Sequence, residues 1–143
     1  KIAMNEKEGY KIEVYNENYH YGFEEFYEDI NDEAFMRVIK ANLSKEKPLP
    51  FLVISKDGKV LGWTGAMYTE SSGRAHFDGI AISTTIRGRG LGQGLWCSLG
   101  KYSKEHGSKF MTFFTGRTNH ARHIYLKSGF KIIQSFAIME KEI

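Results

Sequence analysis

Three stretches of this chain combine residue types at spacings that could do chemistry. The first is Arg87-Gly88-Arg89-Gly90-Leu91-Gly92, followed by Gln93 and an apolar-periodic run. A helix that starts here leaves N–H groups unpaired and carries partial positive charge at its first turn. Glycines allow close approach of the main chain to a ligand, and Arg87 and Arg89 add guanidinium donors. A pyrophosphate suits such a turn. Other phosphate loops fit worse. A Walker loop needs Gly-Lys-Ser/Thr, which is absent, and the third glycine of a dinucleotide fingerprint would fall on Gln93 or Leu95. The pattern matched is R-x-x-G-x-G.

The second stretch runs from Thr118 and Asn119 to Gly129-Phe130. Ala121 and Tyr125 are four residues apart, on one face of a predicted helix over 119–127. Taken alone, they read equally as a core tyrosine and a helix-ending glycine. The third stretch holds His76 and Asp78. In a strand read over 74–83, alternation puts His76, Asp78, Ile80 and Ile82 on one face. A neutral imidazole is a competent base near pH 7, and a carboxylate beside it can orient the ring. A surface His–Asp pair without a role is the plain alternative.

Lesser candidates read as structural. His120 and His123 lie three apart with no third ligand in view, so no metal site is expected. Cys97, next to Trp96, reads as a buried, inert thiol. Tyr19, Tyr21, Phe23, Phe26, Tyr27 and Trp63 serve either an acceptor pocket or the core.

The elements that position these residues follow from pattern. Residues 10–15 alternate as a first strand, 19–29 read as a helix with an irregular start, and 32–43 as a second helix with Asp32 as its cap. Pro48 and Pro50 end it. A meander follows: a strand over 51–55, a turn at Lys56-Asp57-Gly58-Lys59, a return strand over 60–68, and the strand over 74–83. The glycine-rich stretch then opens a helix with Leu91, Leu95, Leu99 and Tyr102 on one face, stopped by Gly107. Strands over 109–115 and 130–139 flank the helix at 119–127. The order β-α-α-β-β-β-α-β-α-β predicts an α/β domain, a mixed, largely antiparallel sheet with helices on its faces.

Composition narrows the classes. The 143 residues suit one domain over 1–143. Twenty basic and 17 acidic residues give a net charge of +3. That mild, mixed balance tolerates an anionic ligand but argues against nucleic acid as a partner. No apolar run approaches the ~20 residues of a membrane helix, so no membrane partner is expected. One cysteine allows no internal disulfide, and a reducing, cytoplasmic location is the expectation. The sequence opens at Lys1 without methionine, which leaves room for a fragment of a longer chain with an upstream domain. A homodimer stays open.

Together, the loop and the Ala121/Tyr125/Gly129-Phe130 pattern, about 30 residues apart with a strand between, resemble the GNAT N-acetyltransferase superfamily. The resemblance is strongest over 51–130. It implies an acetyl-CoA co-substrate and no metal. The pyrophosphate would lie on Gly88, Arg89, Gly90, Leu91, Gly92 and Gln93, with Arg87 at the motif's head. The backbone of Ile80, Ala81 and Ile82 would pair with the pantetheine arm, and one N–H there would polarise the thioester carbonyl. Tyr125 would protonate the departing thiolate. Relatives often carry Glu or His at the place of His76, or His at that of Asp78, as the base. Three departures stand out. The family's asparagine position holds Thr118, with Asn119 one place later. Thr84 stands where a proline is common. Only 13 residues follow Phe130. The resemblance implies transfer of acetyl to a primary amine of a small molecule or peptide, by direct attack in a ternary complex. An acyl-CoA-binding sensor without turnover is the alternative.

Overall fold

The computed structural model describes residues 8–112. The predicted helix at 119–127, the strand at 130–139 and the candidates Thr118, Asn119 and Tyr125 lie outside them. Contacts divide the chain into two compact units at residue 113, and the described residues all lie in the first.

Its centre is a four-stranded antiparallel sheet in the order β1-β2-β3-β6, made of β1 (Tyr10–Val14), β2 (Leu52–Lys56), β3 (Lys59–Gly65) and β6 (Gly79–Ile82). The mixed α/β architecture expected from the pattern is therefore present. Helices α1 (Phe23–Ile30) and α2 (Glu33–Leu43) cover one face. Helix α3 (Leu91–Glu105) packs on the strands from the other, where Gly94 lies against Ile12.

Local chemistry explains these elements. Asp32 caps α2 through a bond from the Phe35 N–H. At the β2–β3 turn both Asp57 and Gly58 have positive φ. The β2–β3 register slips by one residue at Ile54/Ser55, which sends Val60 and Trp63 to the same face. There they meet Phe26, Tyr27, Ile39, Phe51 and Val53 in one core. Leu91, Leu95 and Leu99 are buried beneath α3 as their spacing predicts.

Two expectations change. The return strand and the strand over 74–83 are each broken. Beyond Gly65 the Met67 N–H bonds to the Pro50 carbonyl, at 2.8 Å. The chain thus leaves the ladder, and β4 (Tyr68–Thr69) pairs instead with β5 (Ala75–His76) in a separate two-stranded sheet. The simple alternation of His76 with Ile80 and Ile82 therefore does not hold across the break. Cys97 is exposed rather than buried. It stands two residues from both Leu95 and Leu99, about 200° around the helix from each.

Asn42 reads in sequence as the last member of the α2 apolar stripe. In the structure it is buried, and its amide bonds both the carbonyl and the N–H of Leu49, each at 2.9 Å. One side chain thus pins the proline-flanked loop to α2. Asn42→Leu would strip two part-buried main-chain groups of their partner, at about 1–3 kcal/mol for each group left unsatisfied. Chemical denaturation should show that loss as a lower midpoint with an unchanged slope.

Candidate active site

The predicted phosphate loop has a geometry fit for an anion. Strand β6 leads through a 3₁₀ turn (Thr84–Ile86) into residues 87–90 and then α3. Gly90 is the N-cap of α3, with φ 80° and no side-chain cap bond. Gly88 has φ 81°, and a Cβ there would meet nothing within 4 Å. Both glycines occupy the left-handed region that other residues enter at a cost. The first α3 bond runs from the Gly94 N–H to the Gly90 carbonyl, 3.1 Å. The N–H groups of Leu91, Gly92 and Gln93 thus have no acceptor one helical turn back. The first turn carries no acidic residue that would compete with an anionic ligand.

The two arginines divide. Arg87 is exposed at the loop's head. Arg89 is turned away from a purely ligand-facing role: its Nη1 bonds Glu8 Oε2, and its guanidinium lies 5.3 Å from the centre of the Tyr10 ring. What Arg89 offers the loop is therefore chiefly its main chain.

The edge of β6 can be read from its ladder. The Ser83 N–H donates to the Leu61 carbonyl at 2.8 Å, and Ala81 stands opposite Trp63. Hydrogen-bonded and non-bonded pairs alternate in an antiparallel ladder. Ala81 therefore spends its main-chain groups on β3, while Ile80 and Ile82 point theirs to the outer edge. Among the described residues no strand pairs with that edge. Of the three positions named from sequence, two can offer an N–H to a ligand.

At the other end of β6 the structure joins His76 and Asp78 by a route that strand alternation does not describe. They flank the break between β5 and β6, and His76 Nε2 lies 3.0 Å from Asp78 Oδ1. The second carboxylate oxygen of Asp78 accepts the Ala66 N–H at 3.3 Å, and the Asp78 N–H bonds the Gly65 carbonyl. The carboxylate thus takes a main-chain donor that a continuing ladder would have used. The His76 ring stacks on Tyr68, its cross-strand partner, with centroids 4.4 Å apart and planes at 19°. Both side chains keep contact with solvent, at 26% and 36% exposure. The dyad and the loop lie at opposite ends of a strand ~10 Å long, at ~3.4 Å per residue.

The aromatic candidates also divide. Phe26, Tyr27 and Trp63 are core, and Phe23 packs against them. Burial, with help from Glu24, pushes the Tyr27 phenol up to about 12, so it stays neutral. Tyr19 and Tyr21 are exposed. Among the described residues no three metal-ligating side chains cluster, and no helix is long and apolar enough to cross a membrane.

Sequence reasoning missed Asp29. Its carboxylate, on α1, accepts both the N–H and the hydroxyl of Thr84 in the turn before the loop. These bonds, the hydroxyl's first, hold the Asp29 carboxyl below its ordinary range, against a smaller opposing effect of burial and with Arg87 adding attraction. No motif spacing reports a contact across 55 residues.

Solved structures share this fold. An aminoglycoside acetyltransferase, AAC(6')-Iy in complex with the bisubstrate analogue CoA-S-monomethyl-acetylneamine, is 17% identical with a TM-score of 0.65 over 94% of this chain and 99% of that one. A putative acetyl transferase from Pyrococcus furiosus is 23% identical, with a TM-score of 0.61 over 94% and 99%. An aminoglycoside acetyltransferase from an uncultured soil metagenomic sample, in complex with sisomicin, is 13% identical, with a TM-score of 0.60 over 96% and 97%. No curated protein sequence matches the chain. The family model described as the acetyltransferase (GNAT) family matches residues 12–130, from Ile12, the third residue of β1, to Phe130 of the Gly-Phe pair. That match spans most of the sequence, and the chain belongs to the GNAT acetyltransferase family.

Proposed function

We propose that this chain is a single-domain N-acetyltransferase that moves the acetyl group of acetyl-CoA to a primary amine. The observation that carries this reading is the uncapped N-terminus of α3 behind two left-handed glycines, next to an outer β6 edge. A diphosphate would accept from the free N–H groups at Leu91, Gly92 and Gln93. The outward main-chain groups of Ile80 and Ile82 would bond the pantetheine amides, and one of their N–H groups would stabilise charge on the thioester oxygen.

His76 is the base in this reading. Its Nε2–H donates to Asp78, which leaves the Nδ1 lone pair to take a proton from the amine, directly or through one water. The amine nitrogen then forms a bond to the acetyl carbon, the C–S bond breaks, and the thiolate takes a proton from the Tyr125 hydroxyl. Thr118 or Asn119 would contact the pantetheine. Tyr125, Thr118 and Asn119 enter from the motif at 118–130.

A small-molecule amine is the favoured acceptor. The two aminoglycoside acetyltransferases with this fold, one bound to a neamine-based bisubstrate analogue and one to sisomicin, support that class. The test is release of free thiol from acetyl-CoA against a panel of aminoglycosides, simple polyamines and short peptides. Turnover with at least one amine is the expected result. Binding of CoA without release in the presence of every amine would replace this reading with that of an acyl-CoA sensor.

A further inference from the structure

We propose that Asp29 is a positioning residue for the phosphate loop: its carboxylate on α1 clasps Thr84 and so sets the path of the chain into Gly88 and Gly90. The proposal rests on the reading of that loop as the pyrophosphate site.

The 3₁₀ turn between β6 and the loop begins with two main-chain donors that its own short helix cannot satisfy. Both are taken by side chains. Ser83 Oγ accepts the Thr85 N–H at 3.2 Å, a purely local bond. Asp29 Oδ2 accepts the Thr84 N–H at 2.8 Å, and Asp29 Oδ1 accepts the Thr84 hydroxyl. The first bond defines the turn, and the other two fasten it to a different element. At the end of the turn Ile86 is buried, at 3% exposure, and beyond it Arg87 is extended before the first left-handed glycine. The clasp and the Ile86 anchor thus hold the segment on which the loop is mounted.

The placement of Asp29 is costly where it stands. It is the last residue but one of α1, where a negative charge opposes the helix dipole, and no basic residue in that last turn offsets it. A residue that breaks a local rule is best explained by what it does at a distance. Arg87, at the head of the loop, adds a weaker attraction to that charge. Helix α1 and the anion site are in this way mechanically joined.

The backbone offers a sharp test. Ser83 has φ −53° and ψ 140°, the conformation preferred before proline, and Thr84 is the first residue of a helical turn. Thr84→Pro therefore removes both of the donors that Asp29 holds while fixing the same backbone angle by the ring. CoA affinity would be measured by calorimetry for the parent, Asp29→Ala, Thr84→Pro and the double variant, with melting temperatures alongside. Asp29→Ala should weaken CoA binding about tenfold, within the range seen when a supporting network is perturbed. Thr84→Pro, which releases the same clasp while keeping the turn's backbone, should weaken CoA binding to a similar extent, and in its background Asp29→Ala should have no further effect. If Asp29→Ala does not fold, Asp29→Asn keeps one acceptor oxygen and should show a smaller loss, abolished in the same way by Thr84→Pro. Parent-like CoA affinity in the folded Asp29 variants would overturn the proposal, and so would an equal loss in both backgrounds. A parent protein that binds no CoA would instead overturn the reading of the loop itself.

Discussion

His76→Ala should lower turnover by about 10²–10⁴-fold, the usual worth of a positioned proton acceptor, while CoA affinity stays at the parent value. The sharper variant is Asp78→Asn. One carboxylate oxygen of Asp78 receives the Ala66 N–H and the other faces His76 Nε2. An asparagine would keep its oxygen on the Ala66 N–H and turn its NH₂ toward the imidazole. That donor would make Nε2 the acceptor and move the ring proton to Nδ1, the atom that must receive the amine proton. Asp78→Asn should therefore cost nearly as much as loss of the imidazole, although size and shape hardly change. Steady-state rates per folded molecule across pH check this, since the acid limb of the parent profile should be altered in both variants. Parent rates and an unaltered limb in both would remove the dyad from the mechanism.

Gly90→Val should weaken CoA binding at least tenfold in calorimetry. A β-branched residue at φ 80° is strained by roughly 1–2 kcal/mol, which one decade of affinity already matches, and relief of that strain would rotate the Leu91 and Gly92 N–H groups away from the anion. Gly100 provides the control. It sits inside the same helix with open space where a Cβ would go. Gly100→Ala should stabilise the fold by about 0.5–1 kcal/mol and leave CoA affinity alone. Unchanged affinity in Gly90→Val, measured on folded protein, would show that the loop does not hold the pyrophosphate.

The sequence by itself determined the elements whose cause is local. The cap at Asp32, the turn at Asp57-Gly58, the buried leucines of α3 and the uncapped glycine start of that helix each depend on residues within a turn or two of one another. Periodicity and capping act over that range, so the order of elements from β1 to α3, apart from the breaks in the meander, and the glycine-led start of α3 were legible as pattern. The tertiary structure decided whatever depends on where a ladder stops and which elements pack. His76 meets Asp78 because β3 leaves the ladder after Gly65, not because one strand alternates. Arg89 turns to Glu8, Asn42 spends its amide on Leu49, and Asp29 reaches Thr84 across 55 residues. A charged or amide side chain takes the partner that folding brings within about 3 Å, and a linear pattern contains no such distance.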